Sequence, residues 1–116
     1  MTPEIVRQRY ARALSRFSRV TIRRYYGTGA PRPYHEKICR GREVQYKPTE
    51  IVAPILQGDW KIILLAEDLE TGAVALPLLP TDKAVVRGKV LTIAGIDDKK
   101  RRFGDVLCAY ELQVRG

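Results

Sequence analysis

The clearest pattern in the chain lies near its C-terminal end, where Tyr110, Leu112 and Val114 alternate with Glu111, Gln113 and Arg115. A period of two is the mark of a strand with one face on a core and the other toward water. It predicts a last strand over 106–115. Further upstream, Trp60, Ile62, Leu64 and Ala66 interleave with Lys61, Ile63, Leu65 and Glu67, an almost continuous apolar run that reads as a central strand covered on both sides. Val20 to Tyr26 is rich in β-branched and aromatic residues and runs into the breaker-dense segment Gly27 to Pro33, which predicts a strand and its turn. The returning strand spans about Tyr34 to Tyr46, with Val44 and Tyr46 on one face, Glu43 and Gln45 on the other, and Gly41 as an expected bulge. Two more short strands are predicted at 84–86 and 90–95, with a turn or a bulge at Arg87-Gly88-Lys89 between them, and the polar run 97–104 reads as a hairpin loop. Asp68 to Gly72 reads as a turn, and Ala73 to Pro80 as a proline-punctuated apolar connector.

Only the N-terminus has helical spacing. Thr2-Pro3-Glu4 supplies a capping hydroxyl, a proline whose missing N–H costs nothing in a first turn, and an acid at the positive end of the helix. Ile5 or Val6, Tyr10, Ala13, Leu14 and Phe17 then recur at helical intervals, predicting a helix over 3–17. Arg9, Arg12, Arg16 and Arg19 advance by three, four and three residues and form a stripe beside that apolar face, either a solvated surface or a contact for an anionic partner. The expected fold class is mainly β, a small antiparallel β-barrel over 20–116 with an N-terminal α-helix, in a single domain.

Charge sharpens this picture. The chain of 116 residues carries a net charge of +8, and residues 1–50 hold 12 Lys and Arg against 4 Asp and Glu, whereas 51–116 hold 9 of each. An excess confined to one half predicts a face for nucleic acid or for an acidic protein. The longest apolar run, Ala73 to Leu79, is broken by Pro77 and falls far short of the roughly 20 residues that cross a bilayer, so no membrane partner is expected. Charged residues at Glu4, Arg7, Arg9 and Arg12 stand where a secretory signal needs an apolar core. A transit segment is Arg-rich too, but it avoids acids and favours serine, unlike this N-terminus.

Catalytic chemistry is sparse. One histidine, His35, lies beside a proline-rich turn with no nucleophile in motif spacing, and the acid pairs Glu67-Asp68 and Asp97-Asp98 are adjacent residues that point apart, so no enzyme activity is expected. Cys39 and Cys108 lack metal-ligand spacing; they read as small buried hydrophobes, with a disulfide as the alternative, and neither a metal nor a cofactor is expected. Gly27-Thr28-Gly29 lacks the residues of a phosphate loop. Arg23, Arg24, Tyr25 and Tyr26 interleave cations with stacking rings, the pattern of a single-strand platform, although strand alternation puts the two tyrosines on opposite faces. Lys99, Lys100, Arg101 and Arg102 form a basic loop tip, solvated or in contact with DNA or an acidic partner.

In order along the chain, Gly58-Asp59 opens the strand at Trp60, Asp82-Lys83-Ala-Val-Val-Arg-Gly-Lys-Val-Leu-Thr-Ile follows, and Tyr110-Glu-Leu-Gln-Val-Arg-Gly closes. This order and these phrases resemble the head-closure proteins of tailed bacteriophages, also called stoppers, head-completion or head–tail joining proteins, over about residues 20–116. The resemblance implies a structural neck protein located in the virion at the capsid–tail junction and assembled in the host cytoplasm. It further implies a homo-oligomeric ring of about six or twelve copies between portal or adaptor proteins and the tail or its terminator, with packaged DNA passing through the channel. The loop between second and third strands would project toward that channel, which here is the apolar connector of Pro48, Thr49, Ile51, Val52, Pro54, Ile55, Leu56 and Gln57, expected to be mobile alone and ordered in the ring. The alternative expectation is an oligonucleotide-binding type of basic barrel acting on nucleic acid directly.

Overall fold

The computed structural model describes residues 2–16, 19–72, 74 and 76–116. Its frame is a closed antiparallel barrel in the order β1-β2-β3-β8-β5-β4, preceded by a helix, so the chain is mainly β. The elements are α1 (Pro3–Leu14), β1 (Arg19–Tyr25), β2 (Tyr34–Gln45), a 3₁₀ turn (Pro48–Glu50), β3 (Trp60–Leu65), α2 (Ala66–Glu70), β4 (Lys83–Val86), β5 (Lys89–Asp97), β6 (Arg102–Phe103), β7 (Val106–Leu107) and β8 (Ala109–Arg115).

Alternation decides which residues fill the barrel. Val20 and Ile22 of β1, Ile62 and Leu64 of β3, Ala84 and Val86 of β4, Leu91 and Ile93 of β5, and Tyr110, Leu112 and Val114 of β8 share one buried cluster. The β8 side chains predicted to face the core do so, and β3 is central, pairing with β2 on one side and β8 on the other. Leu69 of α2 and the connector residues Val74 and Leu78 join the same cluster, so the stretch after β3 is core rather than plain turn. Leu69 achieves this because one helical turn points it inward while Glu67 and Asp68 stay where Arg40 of β2 can reach them.

The N-terminal helix starts where the sequence places it, with the Thr2 hydroxyl accepting from the Ile5 N–H. It ends earlier than the predicted residue 17, at Leu14, where Ser15 caps the last turn. The expected apolar position Phe17 lies outside the described residues. Arg16 therefore follows the helix and Arg19 opens β1, so the four arginines form no single helical stripe. Inward contacts come from other side chains. Leu14 is buried, Arg7 makes a bidentate pair with Glu70 at 2.7 Å and donates to the Leu107 carbonyl, and Arg101 reaches the Tyr10 hydroxyl.

Gly41 is not a bulge. Pairing of β2 passes without a register shift from β1, ending at Arg19↔Arg40, to β3, beginning at Gly41↔Leu64. A Cβ at Gly41 would meet Val20 Cγ2 at 3.0 Å and the Ile63 carbonyl oxygen at 3.1 Å, so the missing side chain is what lets β2 change partners across the core. Gly41→Ala is expected to destabilise the barrel by about 1 kcal/mol through this crowding, read as a lower midpoint in urea. A variant as stable as the parent would show that the corner has room. The irregularity sits instead on β5, where the register with β8 shifts between Ile93 and Gly95. Of the turn or bulge expected at Arg87-Gly88-Lys89, the structure shows a two-residue turn: Lys89 already pairs with Val86, and Arg87 and Gly88 have positive φ (49° and 77°), the twist that such a hairpin needs.

Candidate functional site

The two ends of the barrel differ. At one end β1 and β2 continue past the barrel to the tip at 26–33, where Tyr26 donates its N–H to the Pro33 carbonyl. At the other end lie Gln45 opposite Trp60, the Arg87-Gly88 turn and the connector from β2 to β3.

That connector is tethered at both ends. Glu50 accepts from the Lys47 N–H at 2.9 Å and from Lys61 Nζ at 3.2 Å. Asp59, only 5% exposed, accepts from Arg115 Nε at 2.8 Å, Gln113 Nε2 at 2.7 Å and the Leu56 N–H at 3.0 Å. The Arg115 guanidinium holds the Asp59 carboxyl well below the usual carboxylate range against the opposing effect of burial, and the Leu56 and Gln113 donors add to it. Gln113 also donates to the Pro54 carbonyl, so β8 carries the connector through two side chains. Turn bonds within the segment, such as Ile55 N–H to the Val52 carbonyl at 2.9 Å, complete its shape. The connector is thus folded onto the single subunit, with Asp59 and Glu50 holding its backbone where apolar contacts alone would not.

What remains uncovered is apolar. Val52 is 67% exposed, Leu56 53%, Trp60 39% and Ile51 37%. Pro48, Thr49, Pro54 and Gln57 are exposed beside them, and Ile55 is half-buried against β3 and β8. Trp60 forms the wall between a cleft of about 350 Å³ bounded by Tyr46, Pro48 and Ile51 and a cavity of about 450 Å³ at the barrel mouth floored by Val86, Leu91 and Val114. The sequence placed Trp60 in the core by alternation; its position at the strand's first residue, two after Gly58, was the available sign that it sits at the rim.

The candidate cations fall into distinct settings. Arg9 and Arg12 are exposed on α1, and Arg16 and Arg19 are exposed between helix and barrel. Arg23 pairs with Glu36 at 2.7 Å and lies over the Tyr34 ring at 4.1 Å. Arg24 grips the fully buried Asp82 with two bonds of 2.8 Å and donates to the Pro77 carbonyl. Arg101 pairs with Glu111 at 2.9 Å, whereas Lys99 and Lys100 cap Asp97 through backbone N–H groups and Arg102 donates to the Asp98 and Asp105 carbonyls. Arg23, Arg24 and Arg101 thus spend their charge inside the subunit. The tyrosines separate as alternation requires: Tyr25 meets Tyr34 edge-on at 5.5 Å, and Tyr26 stacks on His35 at 4.5 Å.

No family model, curated protein or solved structure matches this chain. Function is therefore argued from its own geometry. Among the described residues no group of three or more His, Cys, Asp and Glu is placed to hold a metal ion, and no helix is long and apolar enough to cross a membrane. Cys39 and Cys108 are free and buried, and burial pushes the Cys39 thiol up to about 12. A thiol so protonated at neutral pH is a poor nucleophile.

Proposed function

We propose that this chain is a structural, non-enzymatic subunit of a bacteriophage neck, a head-closure ring in the virion that joins the portal or adaptor of the filled capsid to the tail and continues the DNA channel. One observation carries the reading: a barrel end that holds Ile51, Val52, Leu56 and Trp60 uncovered on a connector tethered through Asp59. Apolar side chains fixed in water at such density mark a surface meant to be covered, and an aromatic wall flanked by two clefts is the usual form of an interface anchor. The phrases that carry the head-closure resemblance support it further, since they form β4, β5 and β8, three neighbours in the barrel, and Asp59 of Gly58-Asp59 anchors the end of the connector.

In this reading the connector is where neighbouring subunits or the portal above them meet the barrel, and assembly supplies cover rather than order. Replacing Ile51 and Leu56 together by serine is expected to abolish ring formation while leaving thermal unfolding of the single subunit within a few degrees, because both side chains are exposed there. Electron microscopy of the chain mixed with necks that lack this component provides the readout. Rings formed as readily by the double variant as by the parent would refute the assignment.

A further inference from the structure

Beside the projecting β1–β2 hairpin lies a cleft of about 450 Å³ lined by Tyr25, Arg32, Pro80, Thr81 and Lys83. Its chemistry differs from that of the connector end. It presents two cations and two hydroxyl-bearing side chains, and no carboxylate lines it. Arg32 donates to the Gly27 carbonyl at 3.2 Å and lies 5.8 Å from the centre of the Tyr25 ring, which fixes its direction without neutralising it. Lys83 stands across the sheet from Arg23, whose charge Glu36 already answers, so Lys83 and Arg32 are left without a carboxylate among the described residues. A guanidinium fork, an ammonium and two hydroxyls around one opening match the oxygens of a phosphodiester. On the hairpin itself, Tyr34 pairs opposite Tyr25 with its ring 5.5 Å away and is 43% exposed, so an aromatic ring stands beside the anion site.

We propose that this cleft and the adjoining hairpin form a nucleic-acid contact, in which Arg32, Lys83, Thr81 and the Tyr25 hydroxyl hold the phosphodiester backbone and Tyr34, on the same face as Tyr25, offers a stacking ring. Arg23 and Arg24 act beneath it as supports, through Glu36 and Asp82, rather than as contacts. The proposal deepens the neck reading by naming which residues would meet the DNA, and it stands on the cleft alone.

The test is an NMR titration of the full chain with a single-stranded oligonucleotide of about 12 nucleotides, the corresponding duplex, and polyglutamate, each at two salt concentrations. The expected result is amide shifts grouped at 25–34 and 81–83, affinity that falls with salt, and at least tenfold weaker binding by the Arg32→Ala/Lys83→Ala variant, both changes being at the surface of the fold. Tighter binding of the single strand, weakened about tenfold by Tyr34→Ala, identifies a stacked base as part of the ligand; tighter binding of duplex, indifferent to Tyr34→Ala, identifies the backbone alone. Shifts centred on α1 or on 99–102, undiminished binding by the double variant, polyglutamate bound as tightly as nucleic acid, or no binding at about millimolar concentration would each overturn the proposal. Ring formation is scored separately, so a chain that binds at the cleft yet never assembles refutes the neck reading alone, and normal rings with a silent cleft refute this inference alone.

Discussion

Leu112→Ala is expected to cost about 2–5 kcal/mol of folding stability. Leu112 is fully buried and sits at the middle of β8, opposite Ile62 of β3 and Ile96 of β5. Strands on both sides fix those partners, so the neighbours have little freedom to collapse into the space left by the removed methyl groups, and the cavity term adds to the lost transfer energy. Against a total of about 5–15 kcal/mol for a domain this is a large fraction. Urea unfolding gives the measurement, with a lower midpoint and an unchanged slope as the expected pair of results. An unaltered midpoint would place β8 at the periphery and reopen the assignment of the barrel core.

The second large effect is expected at Asp59, the buried carboxylate under the connector. Asp59→Ala removes the acceptor of the Gln113 amide, of the Leu56 N–H and of the Arg115 guanidinium at once, and the stranded donors should cost about 2 kcal/mol. The amide of Leu56 should then exchange faster, since its N–H is released to solvent. The sign of the pH effect follows from the direction in which Arg115 and the neighbouring donors move this carboxyl. Its folded-state pKa lies below the unfolded one, so its stabilisation is complete above the ordinary aspartate value of about 4 and is lost as the pH falls below it. Asp59→Asn lacks the charge at every pH, so the stability curves of parent and variant should separate at neutral pH and draw together in acid. Parallel curves would mean that the carboxylate contributes no ionic stabilisation and that the connector is held by its turns alone.

Several parts of this architecture are legible from local residues. The alternation at Tyr110, Leu112 and Val114 identifies both the last strand and its inward face, the Thr2-Pro3-Glu4 start identifies the first turn of α1, and Arg87-Gly88-Lys89 marks the break between two strands. Each is a property of a few consecutive residues, since side-chain direction along a strand and backbone preference in a turn are set locally. The connector was legible as apolar and irregular for the same reason. Its tethering was not, because Gln113 and Arg115, the residues that hold Asp59, lie more than fifty positions away.

The basic residues show the same division. Counting charges located the excess in residues 1–50, but Arg24 is answered by Asp82 and Arg101 by Glu111, while Lys83, within the balanced half, is left at an open cleft. Gly41 looked like a bulge from its neighbours and proved to be the point where β2 passes from one partner to the next. Asp68 and Glu70 read as turn residues until Arg40 and Arg7 were brought beside them. Periodicity, caps and turns are short-range and survive in a linear string. Which charges cancel, which apolar groups stay uncovered and where a missing Cβ is needed depend on barrel closure, which brings together residues that chain order keeps apart.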